Sequence, residues 1–214
     1  MFQNVAFIQS QASVNLYFRK VIFNNMKAKL VFAGLLGIVA QSCLPSKSEN
    51  EKANQLSSQE EIVKGEYLVT IMGCNDCHSP KVFTEYGPIP DKQRLLSGHP
   101  QDEELAEIDS NVATKWVLFG KHNTAVVGPW GVSFSANLTP DETGIKYWDF
   151  DNFKNAMTKG KSKGTEHGRT LLPPMPWMNY TKMKDEDLKA IFSYLKSIKP
   201  IKNNVPSPIT TNQF

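Results

Sequence analysis

Cys74-Asn75-Asp76-Cys77-His78 sets two thiols three residues apart and an imidazole directly after the second. Thiols one helical turn apart can each form a thioether to a haem vinyl group while the adjacent histidine turns to the iron, and C-x-x-C-H is the spacing of covalent haem attachment. Two other chemistries use such a pair. A dithiol redox couple needs C-x-x-C beside a strand in a βαβ pattern, whereas the residues before Cys74 read as a helix and no parallel-sheet pattern follows. A structural zinc site needs four ligands, and the remaining cysteine, Cys43, falls in a leader. The stretch therefore predicts one covalently held haem c, with His78 on the iron.

An iron held by His78 on one face calls for a second ligand on the other, and methionine sulfur can supply it. Leu171-Leu172-Pro173-Pro174-Met175-Pro176-Trp177-Met178 offers two candidates. Prolines on both sides of Met175 fix φ and forbid a helix, so its sulfur would be presented by a stiff loop with little ordering left to lose. Met175 is accordingly preferred to Met178, and Met178, Met183, Met72 and Met157 read as packing residues. His99, His122 and His167 are also imidazoles, but their turn-rich settings suggest solvated loop histidines rather than ligands.

These residues need helices to hold them. Ser58 with Glu61 fits a capping box, and Ile62, Val63, Tyr67, Leu68, Ile71 and Met72 make an apolar stripe running into the haem motif, so a helix is predicted over 59–73. Gly65 costs about 1 kcal/mol in its interior, which asks for a close helix crossing. A second helix is predicted over 149–159, with Phe150, Phe153 and Met157 on one face. The last runs over 185–197, with Asp185, Glu186 and Asp187 at its positive end, Leu188, Ile191, Phe192 and Leu195 on its apolar face, and Pro200 as the stop. Between 81 and 114 the signals are turns and acidic residues. Residues 116–119 and 132–138 read as extended segments around Gly128-Pro129-Trp130-Gly131, expected to cover a haem edge rather than form a sheet of their own.

The ends are different in kind. Lys27 and Lys29 precede an apolar run from Leu30 to Ala40 that is short for a membrane span, followed by Ala40-Gln41-Ser42-Cys43. Residues 1–42 are read as a leader with its signal segment at 26–42, resembling a bacterial lipoprotein signal in which Cys43 takes the lipid; a plain secretory leader or an uncleaved anchor is the alternative. Residues 43–58 are too polar to order themselves and are read as a tether. The folded domain is placed at 59–206 and a tail at 207–214. The chain has 214 residues and a formal net charge of +3, too little to suggest nucleic-acid binding. Redox proteins and a membrane are the expected partners.

A helix ending in C-x-x-C-H, a methionine in a proline-rich loop and a final amphipathic helix containing Tyr194-Leu195 together resemble the cytochrome c domain. Gly128-Pro129-Trp130-Gly131, Asn137-Leu138-Thr139-Pro140-Asp141 followed by Thr143-Gly144, Pro174-Met175-Pro176-Trp177 and Asp185-Glu186-Asp187-Leu188-Lys189-Ala190-Ile191 are similar to bacterial c-553-type and dehydrogenase-associated monohaem cytochromes. The resemblance implies a mostly α cytochrome c fold with a long loop and short-strand insertion before the methionine loop. It implies that the first and last helices cross near the haem, with Tyr194 beside Gly65. The function it implies is one-electron transfer with His78/Met175 ligation, by a membrane-tethered protein facing the periplasm or cell exterior and with no chemistry of its own. The alternatives are a cytochrome subunit of a larger dehydrogenase or oxidase complex, and a haem enzyme or gas sensor whose sixth position opens.

Overall fold

The computed structural model describes residues 57–107 and 109–211. The chain falls into two units, Met1–Lys47 and Ser48–Phe214, and every described residue belongs to the second. The leader, Cys43 and the tether up to residue 56 lie outside the described residues.

Helix α1, Ser58–Ile71, begins one residue earlier than its sequence predicts, because the capping box forms between Ser57 and Glu60. The Ser57 hydroxyl accepts from the Glu60 amide at 3.3 Å, and the Ser57 amide donates to the Glu60 carboxylate at 2.9 Å. Adjacent serines and adjacent glutamates allow two registers. Glu61 is drawn away instead, accepting from the Ser193 hydroxyl at 3.1 Å. Ser57 and Ser58 thus belong to the helix and not to a tether.

The motif follows in the short helix α2, Cys74–His78. Two small hairpin strands come next, β1 (Lys81–Thr84) and β2 (Gly87–Pro90), where only turns were expected. After the short helix α3, Ser110–Ala113, strands β3 (Leu118–Phe119), β4 (Ala125–Gly128) and β5 (Gly131–Phe134) form an antiparallel sheet in the order β3-β4-β5. The expectation that these segments would not make a sheet is therefore corrected. Val126 and Val127, between the two segments predicted as extended, pair with Ser133 and Val132, and Val127 and Val132 bury with Ala113 in a core of their own.

Helix α4, Phe150–Lys159, lies where its sequence predicts, with Asp149 as its cap and Phe153 and Met157 buried. Helix α5 spans Asp185–Ser197. It lies across α1, and the main core gathers Val69, Leu96, Ile145, Phe153, Met157, Leu188, Ile191 and Leu195. Gly65 is where the two helices meet: a Cβ there would run into the Ala190 carbonyl oxygen and lie 2.7 Å from Tyr194 Cβ. The crossing is flanked by a Lys64–Asp187 ion pair at 2.6 Å. After α5 the chain stays docked. Buried Asn203 donates to the Ser97 and His99 carbonyls at 2.6 and 2.8 Å, and Ile209 pairs with Val132 at the edge of β5.

Candidate haem-attachment site

Gly73 turns the chain from α1 into α2 in the left-handed conformation, φ 69°, where a side chain would be strained. One turn of helix then separates Cys74 from Cys77. The end of α2 is tied to a neighbouring segment: the Gly98 amide donates to the His78 carbonyl, the Ser79 hydroxyl to Asn75 Oδ1 and the Leu96 amide to the Ser79 hydroxyl, each at 2.8 Å. These bonds fix the backbone under the histidine.

His78 Nδ1 lies 2.8 Å from the Ala136 carbonyl oxygen. A carbonyl only accepts, so Nδ1 carries the proton and Nε2 keeps its lone pair. That is how a metal-ligating imidazole is ordinarily oriented. Burial pushes the imidazole's pKa down, against the pull of the Ala136 bond, so the ring is held in the neutral form a ligand needs.

Cys74 and Cys77 are free thiols, half-buried and not joined to each other. Burial pushes Cys74 up to about 11 and raises Cys77 as well. A dithiol redox couple requires the opposite shift, toward thiolate. The zinc alternative finds no group of three or more His, Cys, Asp or Glu side chains suited to a metal ion among the described residues. Two thiols and an oriented imidazole fit covalent haem best.

The methionine loop reaches the same region. Met175 and Cys74 both pack, half-buried, against the main core, together with Tyr180. Burial pushes the Tyr180 hydroxyl up, and the nearby Cys74 and Cys77 add to the rise, so the turn after Met175 faces the motif. The loop is held on its N-terminal side. The Ser133 hydroxyl donates to the Pro173 carbonyl at 2.6 Å, and the Leu171 amide to the Gly160 carbonyl at 2.7 Å. Met178 is 65% exposed, so its reading as a packing residue is corrected, while Met157 is buried and Met72 and Met183 pack against the core.

Of the histidines, only His167 is the exposed loop residue expected. His99 is 2% exposed, with Nδ1 2.9 Å from the Thr124 hydroxyl and Phe134 against its ring. His122 accepts from the Lys81 amide at 3.0 Å through Nδ1 and lies 3.5 Å from Glu103 through Nε2. Lys81, Ser133 and Asn203 were missed by sequence reasoning; a single polar residue bonded to backbone carbonyls leaves no pattern in the sequence. Asn137 could have been found: its side-chain oxygen accepts from the Thr139 amide and hydroxyl, the local turn that Asn-Leu-Thr encodes.

This geometry suits a covalently attached haem. Residues 139–199 match the family model of cytochrome c. The chain is 27% identical over 189 residues to the gluconate 2-dehydrogenase cytochrome c subunit of Pantoea cypripedii, covering 85% of this chain and 33% of the relative. To the fructose dehydrogenase cytochrome subunit of Gluconobacter japonicus it is 26% identical over 200 residues, 92% of this chain and 32% of the relative. Over 102 residues it is 36% identical to the cytochrome c subunit of the quinone-dependent alcohol dehydrogenase of Gluconacetobacter polyoxogenes, covering 45% of this chain and 21% of that protein. The chain thus spans a third or less of each of these relatives. It carries a cytochrome c domain, and its cofactor is covalently bound haem c.

Proposed function

We propose that this protein carries single electrons, with Cys74 and Cys77 as the thioether positions and His78 and Met175 as the axial ligands of one haem. The observation that carries this reading is the orientation of His78: Nδ1–H donates to the Ala136 carbonyl and leaves Nε2 with its lone pair, in a motif whose two thiols are half-buried. Bound there, haem supplies an iron that changes oxidation state by one electron. Around it the chain's task is to hold and to exclude. Ala136 fixes the tautomer of His78, Gly98 and Leu96 clamp the end of α2, and Ser133 and Gly160 pin the loop that carries Met175. Met175 would supply the haem iron with a thioether, a ligand that would favour the reduced state and close the iron to small ligands, making the protein a carrier rather than a catalyst.

The relatives favour a setting for this carrier: a cytochrome subunit receiving electrons from a dehydrogenase partner, in keeping with their names. Cys43 would tether it by a lipid to a membrane on the periplasmic or outer side, the leader directing export. Extraction of the purified protein with acid acetone tests the attachment. Colour retained on the polypeptide, together with slow carbon monoxide uptake by the reduced form, is expected. Colour lost to the solvent contradicts thioether attachment, and rapid carbon monoxide uptake points to the open-site haem enzyme or sensor. Co-purification of a flavin or quinone enzyme separates the subunit from a free shuttle.

A further inference from the structure

Lys81 lies three residues after His78 and is 5% exposed, an unusual place for an ammonium. Its Nζ donates to the carbonyl oxygens of Ser79 at 2.5 Å, Asp76 at 2.9 Å, Asn75 at 3.2 Å and His122 at 3.3 Å. Two of these carbonyls belong to the haem motif itself. Among the described residues no carboxylate lies within 4.0 Å of this nitrogen, so it makes no ion pair and its hydrogen bonds all go to backbone carbonyls. Four acceptors around one nitrogen demand a full set of donors. A neutral amine would turn its lone pair toward carbonyl oxygen, so the ammonium form is the one this cage accepts.

Carbonyl dipoles can hold a cation without cancelling it. Their combined field falls off faster with distance than that of the net charge, which acts through a weakly polarisable interior where Coulomb terms are large. A lysine serving only to cap the last carbonyls of a helix would do so from the surface, with its ammonium in water.

We infer that Lys81 is a positioning residue for the electron-transfer site: a buried cation, clasped by the carbonyls of the haem motif, that sets the reduction potential of the haem upward. This rests on the reading of Cys74, Cys77 and His78 as the haem site. A fixed positive charge opposes the ferric form, which carries one more positive charge than the ferrous form, and so favours reduction. Because the charge is buried, salt should not screen it as it screens surface lysines.

The test is a spectroelectrochemical titration of the haem-loaded full chain and its Lys81→Gln and Lys81→Arg variants, at low and at high salt. Lys81→Gln should lower the midpoint potential by the same amount at both salt concentrations, with the ferric methionine-to-iron band intact, while Lys81→Arg stays near the native value. An unchanged potential in Lys81→Gln, an equal fall in Lys81→Arg, or a fall seen only where the methionine band is lost would overturn the inference. Where Lys81→Gln does not retain haem, Lys81→Met, which keeps the length of the side chain without its charge, takes its place. A lowered potential there supports the inference, and an unchanged one overturns it. A native protein without covalent colour would instead sink the site itself, a result distinct from any of these.

Discussion

His99 is buried with one ring nitrogen against the Thr124 hydroxyl and the other, Nε2, without a partner. Burial pushes its pKa below the ordinary 6.5; Glu103 pulls it back up and His122 pushes it further down. The sign follows from linkage. As pH falls through 6.5 the unfolded chain takes up a proton that the folded chain refuses, so stability present above that value is lost toward the folded pKa. The melting temperature of the haem-loaded protein should therefore fall between about pH 7.5 and pH 5.5, and less steeply in His99→Gln. Equal slopes would mean that His99 is not the group responsible. Nothing near His99 in the sequence announces this burial, because Thr124 and Phe134 arrive from 25 and 35 positions away. Cys74, Cys77 and His78 could be singled out for the opposite reason: their chemistry needs a fixed local spacing. Met175 was singled out by its prolines; Met178, the other candidate, is exposed.

At the scale of elements, the α1–α5 crossing is held open to backbone contact by Gly65. Gly65→Ala should gain about 1 kcal/mol of helix propensity. It should lose more than that, because the new methyl group meets the Ala190 carbonyl, which cannot rotate away, and overpacking costs about 1–3 kcal/mol even where side chains yield. A fall in melting temperature of about 3 °C or more is expected. An unchanged or higher value would mean that the helices part without cost. The long helices could be read from the sequence because their apolar residues repeat at the helical period and their ends carry Asp149, Pro200 and acidic first turns. The hairpins could not. Val82, Phe83 and Ile89 are exposed, so β1 and β2 show no buried alternation, and Ala125–Gly128 is buried along its whole length. Strand pairing, not a periodic pattern, defines both.

For the whole molecule, charge placement bears on how a redox partner would approach. Lys154, Lys159, Lys161, Lys163, Arg169, Lys182, Lys184 and Lys189 flank the methionine loop in sequence. Lys154 pairs with Asp185 at 2.7 Å, Lys184 lies 3.6 Å from Glu186, and Lys189 sits over the Phe150 ring. The other five make no ion pair among the described residues, which leaves their charge available for steering. Salt shortens the Debye length from about 10 Å at 0.1 M to about 3 Å at 1 M. Electron transfer to a small anionic oxidant should slow with salt and that to a small cationic one should quicken; flat rates for both would leave these cations as ordinary surface. The most direct test of the site is the ferric absorption spectrum of the purified, haem-loaded protein beside its Met175→Ala and Met178→Ala variants. With His78 and Met175 as the ligands, the methionine-to-iron charge-transfer band is present in the native protein and in Met178→Ala and absent in Met175→Ala, whose reduction potential also falls. A band that survives in Met175→Ala, or one missing from the native protein, contradicts the ligation on which the proposed function stands.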